Sequence, residues 1–304
     1  MSNTAQIIAT IPFYSSQRGQ LAAHPFVSAI RYNTATETAR GSRQTLSELQ
    51  QISDGKKLWI DLKTRQLRVR EYSAVPEACI RLVHPIEVNT PVEVHFRDAT
   101  WRAMEVRGDR LYMEPGIRVI TGRGQPINIL APSLEIKGFF TPSDLKYIRA
   151  AKSLGMHSFM LSFVERKEDI EKMLELDPEA EIIAKIESRR GLDFVRGDFA
   201  QYKGRVRLMA ALDDLFTNMG RKKIDILPAL QSIIAADPSA IAASRILTSL
   251  EHDEEPSFQD IATVRFLKLI GFDNFMLCDN VCRHPVAPFT ALKTLQNLLE
   301  QGWV

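Results

Sequence analysis

Eight short and almost continuously apolar segments recur along the chain, and segments with helical spacing lie between most of them. The apolar segments are Ile7–Ile11, Phe26–Asn33, Leu58–Lys63, Ser158–Val164, Glu181–Glu187, Val206–Ala211, Ile241–Leu247 and Asn274–Leu277. A strand that is apolar at every position, rather than at every second one, is typical of a parallel sheet covered on both faces. Eight such strands alternating with helices predict an α/β fold, a closed (β/α)₈ TIM barrel. A doubly wound open sheet is the alternative, but no glycine-rich first turn supports it.

The alternation stops between residues 69 and 138, where the pattern indicates only strands and turns. The strand-like segments there are Pro91–Phe96, Trp101–Val106, Arg110–Glu114 and Gly116–Ile120, and Gly108-Asp109 has the residues of a hairpin turn. We therefore predict a barrel made of residues 1–68 plus 139–304, with a small all-β domain, residues 69–138, inserted after the third strand. The chain re-enters the barrel at Thr141-Pro142-Ser143-Asp144, which has the cap, the proline and the acid that begin a helix.

Composition indicates which partners and which cellular compartment are expected for this chain. The net charge is +2 and the basic residues are scattered, so no strong field favours a nucleic acid. No apolar stretch reaches the roughly 18–20 residues of a membrane helix, and the first ten residues lack the basic and apolar regions of a signal peptide. The three cysteines form no metal-binding pattern, and their odd number disfavours a disulfide framework. These features predict a cytoplasmic protein.

A lysine and a glutamate end the apolar segment that begins at Ile182. Side chains alternate between the faces of a strand, so Lys185 and Glu187 are expected to share one face while Ile186 takes the other. Charges at a buried strand end are costly unless they are paired or used. The motif therefore indicates a proton donor beside a metal ligand, and the acidic pair Asp213-Asp214 ends the next apolar segment.

The order of the motifs at the strand ends resembles the pyruvate kinase family over nearly the whole chain. The matching motifs are Ile7–Ile11, Arg31-Tyr32-Asn33, Asp61 to Arg68, Leu161-Ser162-Phe163, Lys185 to Ser188, Ala211 to Leu215, Ala242 to Leu247 and Phe275 to Cys278. That family has the barrel and the inserted β domain predicted above. The insertion is shorter here, and the C-terminal domain of the family has no counterpart in these 304 residues.

The resemblance implies a reaction and residues that perform it. It implies phosphoryl transfer between phosphoenolpyruvate and ADP, with Glu187 and Asp214 holding Mg²⁺ or Mn²⁺, a choice that suits hard carboxylate oxygens. Lys185 would contact the transferring phosphoryl group, Arg31 would pair with phosphate, and Ser244 would stand near the carbon that gains a proton. The substrates would be phosphoenolpyruvate or pyruvate, or a related oxo acid, with ADP or ATP; a second copy of the chain is a further candidate partner.

The resemblance also implies a second group of residues around the substrate. Asn33 and Asp61 would serve a monovalent cation, K⁺ in that family. Ser162, Phe163, Asp213, Lys63 and Arg68 would line or border the substrate site. All these positions follow predicted strands at their carboxyl ends, where barrels carry their chemistry.

Several functional positions depart from the family pattern. Ala35 replaces a serine that contributes to the monovalent cation site, and Gln66 replaces a glutamate. Asp213 replaces the glycine whose turn receives the substrate carboxylate, and Cys278-Asp279-Asn280 replaces Ser-Gly-Glu. Together these changes predict altered substrate binding or lost activity. They keep two alternatives open: a metal-dependent carbon–carbon lyase or aldolase working through a pyruvate enolate, and a non-catalytic binding protein.

Structural explanations exist for each of these residues. Lys185 and Glu187 can form a buried ion pair without further function, and Asp214 can cap a helix. Arg31 can bridge carboxylates at the barrel rim, and Asp61 can pair with Lys63. Ser244 can be an ordinary serine at a strand end.

Overall fold

Parallel strands close into a barrel in this computed structural model, which describes residues 5–36, 38–74, 77–96, 99–114, 116 and 122–300. The strands are β1 (Ile7–Thr10), β2 (Ala29–Asn33), β3 (Lys57–Leu62), β4 (Val69–Ser73), β5 (Cys79–Leu82), β6 (Ile86–Glu87), β7 (Val92–His95), β8 (Thr100–Arg107), β9 (Arg110–Met113), β10 (Glu135–Ile136), β11 (Ser158–Leu161), β12 (Glu181–Ile186), β13 (Val206–Ala211), β14 (Ile241–Ala243) and β15 (Asn274–Leu277). Eight of them form the barrel in the order β1-β15-β14-β13-β12-β11-β3-β2. The predicted barrel is confirmed.

Helices follow most barrel strands, as the parallel connections require. They are α1 (Arg18–Ala23), α2 (Ser42–Ile52), α3 (Pro142–Lys152), α4 (Lys167–Leu176), α5 (Arg189–Gly197), α6 (Leu212–Asn218), α7 (Ile226–Ala236), α8 (Phe258–Leu269), α9 (Asp279–Arg283) and α10 (Ala287–Glu300). Short 3₁₀ helices cover Phe199–Tyr202, Lys223–Asp225 and Thr248–Glu251. Among the described residues, none of these helices combines the length and the apolar character needed to span a membrane.

Two barrel strands end three or more residues before the positions that the sequence predicts. The strand predicted to reach Val164 ends at Leu161, and the one predicted to reach Leu247 ends at Ala243. Phe163, Ser244 and Arg245 have φ angles of 50°, 61° and 51°, in the left-handed region that no strand contains. Non-glycine residues in that region cost conformational energy and cluster at functional sites, so these two turns mark the carboxyl end of the barrel.

The interior of the barrel has two layers of different chemistry. The lower layer is apolar and consists of Ile8, Ala29, Trp59, Met160, Ile183, Met209, Ile241, Ala243 and Met276. Two residues further along five strands the interior position is polar: Thr10, Arg31, Asp61, Ser162 and Lys185, all buried. Because every second side chain of a strand shares a face, these polar groups lie directly above the apolar layer.

Contacts divide the chain into two units, Met1–Leu62 with Lys146–Val304, and Lys63–Leu145. The second unit contains a five-stranded antiparallel sheet, β4-β5-β9-β8-β7, and the pair β6-β10. Gly108, with a φ of 59°, lies in the turn that joins β8 to β9, as the sequence predicts. Its core includes Val69, Ile80, Val94 and Leu111. The strand predicted over Gly116–Ile120 lies outside the described residues except for Gly116.

Asp144 organises the start of α3. Its carboxylate accepts hydrogen bonds from the backbone N–H groups of Lys63 (2.9 Å), Thr64 (3.0 Å) and Thr141 (2.8 Å), and its own N–H donates to Thr141 Oγ1. The helix start predicted at Thr141 is thus confirmed. We expect Asp144→Ala to lower the free energy of unfolding by about 2–4 kcal/mol, because it leaves buried donors unpaired.

Urea denaturation followed by circular dichroism measures this effect. Asp144→Asn keeps one acceptor oxygen and should lose clearly less stability. Equal losses for the alanine and asparagine variants would contradict the assigned role of the carboxylate.

Candidate active site

Lys185 lies at the centre of the buried polar layer. Its Nζ lies 2.9 Å from Glu187 Oε1 and 3.6 Å from Asp61 Oδ1, and it donates a hydrogen bond to Ser162 Oγ at 3.0 Å. Burial alone lowers the pKa of Lys185, but the charges of Asp61 and Glu187 outweigh it and raise the pKa. The structure therefore holds a charged ammonium group inside the barrel mouth.

Glu187 is held by the turn that follows β11. The N–H of Phe163 donates to Glu187 Oε2 at 2.7 Å, and the left-handed conformation of Phe163 belongs to that turn. Ser162 Oγ donates to the carbonyl oxygen of Leu62 at 2.9 Å, which fixes the acceptor that Lys185 uses. The predicted pair Lys185 and Glu187 does share one face, and neighbouring strands determine where both side chains lie.

Arg31 bridges two carboxylates at the end of β2. Its Nε donates to Asp61 Oδ2 at 2.8 Å, and its Nη2 contacts the same oxygen. Its Nη1 donates to Thr10 Oγ1 at 2.9 Å and to Asp279 Oδ2 at 2.7 Å. Burial lowers the pKa of Arg31, but Asp279 and Asp61 outweigh this and raise it. A guanidinium has five N–H groups, so little of its donor capacity is left for a ligand.

Asp214 lies in the first turn of α6, beside Glu187. Burial and then the charge of the neighbouring Glu187 raise the pKa of Asp214 to about 7. Two carboxyl groups this close repel each other unless they share a proton or a cation. The structure thus brings together the two side chains that the sequence suggested as metal ligands.

Carboxyl groups and cationic side chains meet in this cluster. Asp61 and Asp279 contact Arg31, and Asp61 and Glu187 lie near Lys185. Asp61 and Glu187 are buried, whereas Asp214 and Asp279 are partly exposed. A divalent cation held by Glu187 and Asp214 would relieve the repulsion between these two carboxyl groups.

The donor set fits Mg²⁺ or Mn²⁺ on chemical grounds. Glu187 and Asp214 offer hard carboxylate oxygens, and the buried Glu187 Oε1 accepts no hydrogen bond from the described residues, although Lys185 lies 2.9 Å away. No group of three or more His, Cys, Asp or Glu side chains with ligand geometry occurs in the described ranges. Two ligands suffice for Mg²⁺, which commonly takes one or two carboxylates and completes its shell with water and substrate oxygens.

The other residues suggested by the sequence make contacts of their own. Asn33 Nδ2 donates to Asp279 Oδ2 at 2.9 Å, so Asn33 borders the site. Ser244 is half-buried at the end of β14, and Asp213 is exposed and paired with Arg245. Lys63 and Arg68 belong to the second unit, where the Lys63 N–H bonds Asp144 and the Arg68 side chain bonds Gln66 and Gly124.

The monovalent cation role of Asn33 and Asp61 stays a prediction. Asp61 is in contact with Arg31 and lies 3.6 Å from Lys185. Two cations beside one carboxylate oppose the binding of a third.

Two residues of the cluster were missed in the sequence. Thr10 accepts from Arg31 and donates to the Leu277 carbonyl at 2.8 Å, and Asp279 accepts from Arg31 and Asn33. Each lies at or just after the carboxyl end of a barrel strand, a position that could have identified it. Asp279 is one of the departures from the family pattern, and here it is part of the site.

Gly191 allows the chain to pass closely behind Glu187. Ser188 Oγ caps α5 by accepting from the Gly191 N–H at 3.1 Å. A Cβ atom at Gly191 would lie 2.9 Å from the Val164 carbonyl oxygen and 3.3 Å from an Ile186 methyl group. We expect Gly191→Ala to lower the free energy of unfolding by about 1–3 kcal/mol through overpacking.

Gly197 at the other end of α5 is the matched control, because nothing lies within 4 Å of a Cβ atom there. Gly197→Ala should be neutral or stabilise the fold by about 0.5–1 kcal/mol. Thermal unfolding of both variants makes the comparison, and a Gly191→Ala protein as stable as Gly197→Ala would refute the close approach.

Comparisons with known proteins agree with this fold. No protein-family model matches the chain. A curated pyruvate kinase of Thermoplasma acidophilum is 22% identical over 301 residues, an alignment that covers 90% of this chain and 54% of that protein. The crystal structure of Cryptosporidium parvum pyruvate kinase superimposes with a TM-score of 0.76 at 16% identity, covering 97% of this chain and 70% of that one. The chain therefore spans about half the length of the curated relative, and the predicted resemblance to pyruvate kinase is confirmed at the level of the fold.

Proposed function

We propose that this chain, which has the fold of pyruvate kinase, is a divalent-metal-dependent enzyme that transfers a phosphoryl group between phosphoenolpyruvate and ADP. The observation that carries the proposal is the interaction of the Glu187 and Asp214 carboxyl groups, whose mutual repulsion a divalent cation would relieve, with the Lys185 ammonium group 2.9 Å from Glu187. The likeness to pyruvate kinases supports the choice of substrate.

Each side chain has a defined task in this proposal. Glu187 and Asp214 would hold Mg²⁺ or Mn²⁺, which supplies positive charge for an enolate or phosphate oxygen. Lys185 would present its ammonium group to the phosphoryl oxygens, fixed by Ser162 and Glu187 so that no reorganisation is needed. Ser244, on the half-buried turn after β14, would deliver a proton to the carbon of the enolate.

One observation favours a second candidate function. Arg31 donates four hydrogen bonds to Asp61, Thr10 and Asp279, so few of its N–H groups are available to bind a phosphate. A metal-dependent carbon–carbon lyase working through a pyruvate enolate needs no such clamp. It would use the same metal ligands and the same lysine.

Three assays on the purified chain separate these candidates. The kinase is supported by pyruvate formation from phosphoenolpyruvate that requires both ADP and Mg²⁺. The lyase is supported by cleavage of oxaloacetate or of a 4-hydroxy-2-oxo acid without nucleotide. Calorimetric titration with Mn²⁺ tests the feature common to both, and an absence of Mn²⁺ binding would leave only a non-catalytic role.

A further inference from the structure

Two cationic side chains share one aromatic ring at the carboxyl end of the barrel. The guanidinium carbon of Arg245 lies 4.9 Å from the centre of the Phe216 ring, and Lys223 Nζ lies 4.6 Å from the same centre. Phe216 belongs to α6, two residues after the proposed metal ligand Asp214. Arg245 follows Ser244 in the left-handed turn after β14, the strand paired with β13. The ring therefore places both cations beside the proposed substrate site.

Arg245 is held in place but keeps part of its donor capacity. Its Nε and Nη2 both lie 2.7 Å from Asp213 Oδ1, and the side chains of this pair are half exposed. Among the described residues, Nε and Nη2 of Arg245 contact Asp213 and no partner is shown for Nη1, so part of its donor capacity is available to a ligand. A charge fixed by a carboxylate and a ring is preorganised to bind an anion.

Lys223 is held without any ion pair. Its Nζ donates to the carbonyl oxygens of Phe216 (2.7 Å) and Thr217 (3.0 Å) at the end of α6, and no carboxylate in the described ranges forms an ion pair with it. Burial and then the Arg245 charge lower the pKa of Lys223, while the charge of Asp213 raises it in part. Holding like charges together costs free energy that a bound anion recovers.

We propose that Arg245 and Lys223, which both contact the Phe216 ring, bind an anionic group of the substrate, a carboxylate or a phosphate. This group would be distant from the part of the substrate that binds the metal. The inference rests on the proposed function, since it assigns a second recognition point to the same site. A site of this kind prefers a ligand with two separate acidic groups. Such a ligand is either an oxo dicarboxylate or a pyruvate unit together with a nucleotide phosphate. Asp213 is a positioning residue in this arrangement because it acts through Arg245.

Ligand affinities in the presence of Mn²⁺ test the proposal. The probes are oxalate, a mimic of the pyruvate enolate with no distant acid, together with 2-oxoglutarate, ADP and inorganic phosphate. In Arg245→Gln, which removes the positive charge but keeps a polar side chain, we expect about a 10-fold weaker affinity for the probe that uses this site, and an unchanged affinity for oxalate. Lys223→Gln should weaken the same probe. If the affinity for 2-oxoglutarate falls, the group that binds here is a substrate carboxylate. If the affinity for ADP or inorganic phosphate falls, the group is a phosphate.

The control is Arg205→Gln, which removes a positive charge just before β13, at the opposite end of that strand, where Arg205 contacts the Pro178 carbonyl. The proposal is overturned if no distant-acid probe binds the wild type, if Arg245→Gln and Lys223→Gln leave all affinities unchanged, or if Arg205→Gln weakens them equally. Failure of the proposed function gives a different result: Mn²⁺ and oxalate do not bind, while the effect of Arg245→Gln on ADP or phosphate binding persists.

Discussion

The Glu187→Gln variant is expected to bind Mn²⁺ at least about 100-fold more weakly than the wild type. The substitution removes one of the two carboxylates that face the proposed metal position, and a neutral amide oxygen attracts a divalent cation far less strongly. The fold should survive, because the amide oxygen still accepts from the Phe163 N–H that Glu187 Oε2 uses. Lys185 keeps Asp61 as its ionic partner. Isothermal titration calorimetry at neutral pH measures the difference.

Glu181→Gln is the matched control for this experiment. Glu181 begins β12, the strand that ends just before Glu187, and its exposed carboxylate pairs with Lys57 at the far end of the barrel. Its substitution removes the same charge from the same strand and should leave Mn²⁺ affinity unchanged. If Glu187→Gln and the wild type bind Mn²⁺ with similar affinity, Glu187 is not a metal ligand. Both the kinase and the lyase proposals would then be contradicted.

Replacing Lys185 by methionine should affect both stability and turnover. Methionine has a similar volume, but it leaves Asp61 and Glu187 buried without the ammonium group that lies 3.6 and 2.9 Å from them. Breaking a buried ion pair from one side costs about 3–5 kcal/mol of unfolding free energy. Loss of a preorganised positive charge at a transferring phosphoryl group or an enolate lowers turnover by about 10³-fold.

Two comparisons separate these effects. Lys57→Met removes an exposed lysine from β3 that pairs with Glu181, and it should cost no more than about 1 kcal/mol and leave turnover unchanged. Turnover of Lys185→Met is measured at a temperature where circular dichroism shows a native spectrum, so that unfolded protein does not account for the loss. Full turnover of a folded Lys185→Met protein would make Lys185 a structural residue only.

The fold was predictable because its signals are local and repeated. Continuous apolar strands such as Val206–Ala211 indicate burial on both faces without reference to distant residues. Thr141 and Asp144 give the helix start by hydrogen bonds over three residues. The strand lengths were less predictable, because the turns at Phe163 and Ser244 depend on left-handed backbone conformations that non-glycine residues adopt only under tertiary constraint.

The candidate site was likewise predictable from the sequence only in part. Period-two alternation along one strand placed Lys185 and Glu187 on the same face, and the positions of strand ends gathered the acidic residues at one rim. The partners of these residues come from elsewhere in the chain. Asp279, 248 residues from Arg31 along the chain, takes part of the donor capacity that a phosphate was expected to use, and Asp213 turns outward to Arg245.

The sequence by itself determined the barrel and the end of each strand at which polar residues follow, because strand alternation and apolar continuity are properties of short segments. It also gave the hypothesis that Lys185, Glu187 and Asp214 perform the chemistry, which stays a prediction. Only the tertiary structure decided which charges meet. Closing the sheet brings the carboxyl ends of β2, β3 and β12 and the segments after β13 and β15 together, so Arg31 meets Asp61 and Asp279, and Lys185 meets Glu187 and Asp61.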